Sequence, residues 1–244
     1  MSAVLFRRQL CAAGAGLRTT PFLQQSLGRH HLQQQRQILP RFTPSISPRI
    51  HRMPLVTINQ SIIEKLKSDG VIPDVIDEFQ PSVFLEAEFP SGEAIQLGNT
   101  LKVKDTQDQP KITITPGAAS FESEDAKYTL CLTDPDATSR DNPKWSEFCH
   151  WLVTDIKPKS GTLNLDDAKE LIEFMGPAPP EKTGKHRYVL LFFKNGKEHL
   201  KAPEGRKKWG FDKEEPRVGA RYYAKKYDLS LVGANFFFCQ NEEQ

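Results

Sequence analysis

The chain has 244 residues, 38% of them hydrophobic and 26% charged, with a formal net charge of +2 at pH 7. That length holds one generous domain or two small ones, and the composition is that of a globular protein. No stretch reaches the roughly 18–20 consecutive apolar residues that a membrane-spanning helix needs, so no transmembrane segment is expected.

The small net charge averages two unlike parts. Residues 1–52 hold eight arginines, no lysine and no Asp or Glu. The other 25 Lys and Arg face 31 Asp and Glu, which leaves residues 53–244 at −6. An acidic body argues against nucleic acid as a partner, because binding a phosphate backbone rests on Lys and Arg. Within the extension, "AVLFRRQLCAAGAGLR" can form a helix with one apolar and one cationic face. An Arg-rich, acid-free leader of this kind reads as a mitochondrial transit peptide, with a disordered basic tail as the alternative. Met53 opens "MPLVTINQSIIEKL", which reads as a start in its own right and would give a cytoplasmic or vacuolar product. The four cysteines (11, 131, 149 and 239) are widely spaced without a CxxC pair, so neither a zinc knuckle nor a disulfide framework is indicated. A reducing compartment suits them.

Beyond the extension, "INQSIIEKLKSDG" predicts a short helix, with Asn59 as N-cap, Ile62, Ile63 and Leu66 as its apolar stripe, and Gly70 as its stop. "SVFLEAEF" (82–89), "KITITP" (111–116) and "KYTLCLTD" (127–134) alternate in polarity, as half-buried strands do. "FCHWLVTDI" (148–156), "HRYVLLFFK" (186–194) and "GANFFFCQ" (233–240) are denser in apolar residues, as strands between two layers would be. "DDAKELIEF" (166–174) is helical by period, with an edge strand as the alternative, and residues 216–230 predict a second helix. Six or so strands with few helices argue for one mainly β, two-sheet antiparallel sandwich with a few peripheral helices.

Three loop-to-strand junctions carry the polar residues of interest. "TDPDATSRDNPKW" (133–145) turns abruptly after a strand, because proline sets φ and Asp or Asn side chains bond nearby backbone N–H groups. Taken alone it is a turn with two solvated aspartates. His150 sits in "KWSEFCHWLV" among Phe148, Trp151 and Leu152, where a satisfied core histidine is the plain reading. "GPAPPEKTGKHRY" (176–188) brings a proline-stiffened loop onto a strand on which His186 and Tyr188 share a face.

Together "DPDATSR", "KWSEFCHW", "GPAPPEKTGKHRY" and "GANFFF" resemble the phosphatidylethanolamine-binding protein family, over essentially all of residues 54–241. "GNTL", "WSEFCH", "MGPAPP" and "NFF" look most like its fungal branch, which includes carboxypeptidase Y inhibitors. The resemblance implies a two-sheet antiparallel sandwich at 53–244 with a small anion pocket at one end. It places Asp134, His150 and His186 around that pocket, Tyr188 and Trp145 along it, and the backbone of Ala178, Pro179 and Pro180 at its wall. Asp136 and Arg140 would shape the first loop. Two residues depart from the family pattern: Thr138 stands where proline is common and should loosen the loop, and Ala178 stands where glycine is common and should narrow the mouth.

Such a set suits an anion receptor, since two imidazoles can donate N–H bonds to a phosphate and a buried Asp134 can set a histidine's tautomer. The expected function is a binding and regulatory protein without a cofactor. Its ligand would be a phospholipid headgroup or other phosphate-bearing molecule. Its protein target would be a serine carboxypeptidase or, as in the wider family, a Ras or kinase signalling protein. A monomer is expected. The alternatives are a hydrolase, which lacks a GxSxG elbow, a metal-site enzyme built on Asp134, His150 and His186, or a structural subunit of a mitochondrial assembly. "EGRKKWGF" (204–211) is a small basic-aromatic patch, read as a solvated loop rather than a membrane contact.

Overall fold

The computed structural model describes residues 55–117, 125–159, 161–209 and 219–244. The basic extension, read above as a transit peptide or a disordered tail, lies outside them. Helix α1 spans Leu55–Ser68 and ends where Gly70 takes φ 73°. A side chain at Gly70 would also crowd Arg187, because a Cβ there would lie 3.1 Å from its guanidinium. Asn59 is not the cap: it lies inside α1, and its side-chain amide donates to the Pro81 carbonyl at 3.0 Å. Helix α2 is a single turn, Val71–Asp74.

The strands follow in order: β1 (Val83–Glu88), β2 (Asn99–Lys102), β3 (Lys111–Pro116), β4 (Tyr128–Asp134), β5 (Phe148–Ile156), β6 (Gly161–Thr162), β7 (Lys169–Ile172) and β8 (His186–Lys194). Helix α3 (Ala220–Lys226) and strand β9 (Ser230–Gln240) complete the described chain. Residues 169–172 thus take the edge-strand alternative: β7 borders β5 at the margin of its sheet, where two-sided burial is not required.

The strands form two sheets, one ordered β1-β3-β6 and the other β2-β9-β8-β4-β5-β7. The pairings are antiparallel except one. β2 runs parallel to β9, with Asn99 opposite Phe237 and Lys102 opposite Gln240. The sandwich is therefore mixed at that edge, which becomes possible because most of the chain intervenes between the two partners.

One apolar cluster fills the space between the sheets, with Leu85, Ile114, Leu130, Trp151, Leu190 and Phe237 among its members. A second cluster lies on the other face of the larger sheet, where α1, α2, α3 and Trp209 cover Cys131, Leu152, Val189, Leu191 and Phe236. The larger sheet is thus a middle layer, so β4 and β8 are buried on both faces. The polar alternation in β4 does not mark a wet face. Thr129 is buried with its hydroxyl 2.9 Å from the Thr154 hydroxyl and 2.6 Å from Asn195 Oδ1. Buried hydroxyls tolerate this only when paired.

Candidate functional site

The site forms at one end of the middle sheet, where β4 ends, β5 begins and β8 begins. The Asp136 N–H donates to Asp134 Oδ1 at 2.7 Å, closing the turn that Pro135 starts. The other carboxylate oxygen lies 2.8 Å from His186 Nδ1 across the β4–β8 boundary. Both groups are enclosed, Asp134 being 3% and His186 1% exposed.

The second nitrogen of His186 is engaged as well. Nε2 lies 3.1 Å from the Thr183 hydroxyl, which itself donates to the Pro180 carbonyl at 2.7 Å. A hydroxyl has one hydrogen and a carbonyl can only accept, so Thr183 accepts from His186 Nε2–H. His186 therefore has no ring nitrogen free for a ligand while the proline loop keeps this geometry, contrary to the expectation that both imidazoles donate.

His150 differs. Its Nδ1 lies 2.8 Å from the Met175 carbonyl and donates to it, while the Met175 N–H donates back to the His150 carbonyl at 2.8 Å. Nε2 makes no hydrogen bond among the described residues. The ring, 4% exposed, packs against Phe148 with centroids 4.9 Å apart and meets Tyr188 edge-on at 5.1 Å. Burial lowers its pKa, although Asp134 and the Met175 carbonyl pull the other way. In the free protein His150 is thus biased toward the neutral ring, with Nε2 as a lone-pair acceptor that becomes a donor on protonation. Burial, reinforced by Asp134, pushes the Tyr188 phenol well up, so it stays a neutral O–H.

The remaining expected residues fall around this group. Pro179 is buried while Ala178 and Pro180 are exposed, so the proline loop forms a rim. Gln107 Nε2 donates to the Pro177 carbonyl at 2.9 Å, and a Cβ on Gly176 would stand 2.8 Å from Gln107 Cα, which requires glycine there. Asn241 Nδ2 donates to the Pro179 carbonyl at 3.2 Å from the other side. Thr138 donates to the Asn142 carbonyl at 3.0 Å within the first loop. Trp145 is 41% exposed, with Lys207 Nζ 3.7 Å from its ring centroid. The ring packed against His150 is that of Phe148, which period-two spacing from His150 would have found.

Asp136 and Arg140 each bond outside the first loop, Asp136 to a residue that the sequence reading passed over. Arg187 donates from its backbone N–H and Nε to Asp136 Oδ2 at 2.8 and 2.9 Å, and from NH2 to Oδ1 at 2.6 Å. Its NH1 reaches the Gly70 carbonyl at 2.7 Å and Asp74 Oδ2 at 2.8 Å. Arg140 NH2 donates to the Asp69 carbonyl at 3.1 Å. Burial opposes the Arg187 charge, but the Asp136 bonds outweigh it and raise its pKa. This network joins the α1–α2 turn to the first loop.

One residue behind the site also escaped the sequence reading. Glu147 is 1% exposed; Oε2 accepts from Thr133 Oγ1 at 2.9 Å and Ala220 N–H at 3.1 Å, while Oε1 is buried without a partner. Burial raises its pKa to about 7.

Asp134 and His186 bond to each other rather than converging on a common point. Among the described residues no group of three or more His, Cys, Asp or Glu side chains is arranged to hold a metal ion.

The two-sheet sandwich thus carries at one end a buried Asp–His pair, a second histidine with one open nitrogen and a proline rim. The chain belongs to the phosphatidylethanolamine-binding protein family, whose profile matches residues 88–237. It is 34% identical over 213 residues to the carboxypeptidase Y inhibitor of Saccharomyces cerevisiae, covering 75% of this chain and 96% of that protein. It is 32% identical over 186 residues to the Protein FLOWERING LOCUS T of Arabidopsis thaliana, covering 75% and 94%. Among solved structures, a carboxypeptidase Y inhibitor complexed with its cognate proteinase matches with TM-score 0.70 and 35% identity, covering 75% of this chain and 97% of that one. A phosphatidylethanolamine-binding protein from Plasmodium vivax matches with TM-score 0.61 and 26% identity, covering 74% and 97%.

Proposed function

We propose that this chain is an inhibitor of a serine carboxypeptidase that also binds a small phosphate-bearing ligand, such as a phospholipid headgroup, beside His150. The inhibitor reading is carried by one observation: the match to the yeast inhibitor runs through 96% of that protein at 34% identity. The ligand reading rests on His150, whose ring meets Tyr188 edge-on and whose Nε2 makes no hydrogen bond among the described residues. An arriving anion would favour the imidazolium, turning Nε2 into a charged donor.

The Arg187 network suggests how the N-terminal helices and the ligand loop could act together. A protease seated on the α1–α2 turn would press on the carbonyls that Arg187 and Arg140 hold. The test is inhibition of yeast carboxypeptidase Y on a peptide substrate, with protein beginning at Met53 and with the full chain. The Met53 form should inhibit and the full chain should inhibit less. No inhibition by either form at micromolar concentration overturns the inhibitor reading. Calorimetric titration with glycerophosphoethanolamine tests the ligand reading separately.

A further inference from the structure

The segment 200–209 and helix α3 enclose a groove of about 470 Å³ on the covered face of the middle sheet. Lys201, Lys207 and Lys208 line it from the segment and Lys226 from the helix, and among the described lining residues Glu204 is the only carboxylate. This concentration of positive charge sits on a body whose overall balance is −6. One end of the segment is anchored: Trp209 is buried with its indole N–H donating to Thr133 Oγ1 at 2.9 Å. The Tyr223 hydroxyl donates to the Lys201 carbonyl at 2.7 Å, which binds the helix to the segment.

We propose that this groove is a second ligand site, one that takes a small molecule carrying two or more phosphate groups. Three features select that class. The volume falls within the roughly 300–1,000 Å³ of small-molecule sites and exceeds what a lone phosphate fills. Lysine supplies rotatable point charges rather than the planar fork of arginine, which suits several phosphates spread over a ring or chain. Tyrosine and tryptophan side chains supply apolar wall for the body of such a ligand. Lys207 also spans the ring of Trp145, so one edge of the groove reaches the loop beside the first site, though the two sites share no residue among those named.

The experiment is calorimetric titration of the full chain with inositol trisphosphate and, separately, inorganic phosphate at constant ionic strength. The trisphosphate should bind the K201Q/K207Q/K226Q variant about tenfold or more weakly than wild type, as loss of charge-assisted bonds requires. Unchanged thermal melting of that variant confirms that it folds. His150→Gln should leave trisphosphate binding intact. Vesicles displaying polyphosphorylated inositol headgroups, compared with phosphatidylserine vesicles of equal charge, distinguish a lipid source from a free one. Lysine-dependent capture by the former supports a headgroup as the ligand, and lysine-dependent binding of the soluble trisphosphate alone supports a free one. The proposal is overturned if the trisphosphate fails to bind wild type, if the triple variant binds as wild type does, or if H150Q abolishes binding. Equal capture by phosphatidylserine vesicles would likewise reduce the groove to a generally basic face.

Discussion

Substituting Glu147 by Gln isolates a buried charge behind the site. In the folded protein its pKa is raised from an ordinary 4.5 to about 7, chiefly by burial and only partly relieved by the Ala220 N–H and the Thr133 hydroxyl. A carboxyl whose folded pKa is raised contributes its full stability below the unfolded value. It loses that contribution as pH rises through the folded one. The window therefore runs from about 4.5 to 7. At about 1.4 kcal/mol for each pKa unit, the difference between the ends of the window is about 3 kcal/mol. Arg221 moderates the charge, and the neighbouring Cys131 and Cys149 thiols are themselves pushed up by burial and stay neutral. Glutamine keeps the shape and an acceptor for Thr133 but cannot ionise. Urea unfolding of both proteins at several pH values between 5 and 8 gives the difference in unfolding free energy, which cancels the other titrating groups. That difference should move in favour of the variant by about 3 kcal/mol as pH rises across the window. A difference that stays constant with pH would refute the reasoning and place the Glu147 carboxyl in contact with water.

Three further outcomes follow. Because burial lowers the His150 pKa and an anion raises it, binding takes up a proton, so phosphate affinity should rise as pH falls from about 8 to 6. A flat calorimetric profile would remove His150 from the ligand contact. Arg187→Met leaves Asp136 buried without its partner and should cost about 3–5 kcal/mol in chemical denaturation. A loss under about 1 kcal/mol would show that the Asp136 pair is not a support of the first loop. Residues 1–52 fused to a fluorescent protein should direct it to mitochondria, and N-terminal sequencing of native protein that finds an intact Met1 would end the transit-peptide reading.

Local pattern determined a large part of this protein. The apolar density of 148–156 and 186–194 marked strands between two layers, because a strand buried on both faces must be apolar nearly throughout. Asp-Pro-Asp marked the abrupt turn after β4, because its chemistry is complete within three residues. The four motifs in order pointed to the family, and with it to the Asp134, His150 and His186 group. Tertiary structure decided what each of those residues can do. Asp134 and His186 lie 52 residues apart and Met175 lies 25 residues from His150, so no local period shows which ring nitrogen is taken. Long separation in sequence likewise hid Arg187 from Asp136 and the parallel pairing of β2 with β9. Phe148 rather than Trp145 lies against His150 because the strand's alternation, not proximity in the motif, aims a side chain. Glu147 reads as one more surface carboxylate until α3 and Trp209 close over it, and only that closure gives it a pKa near 7.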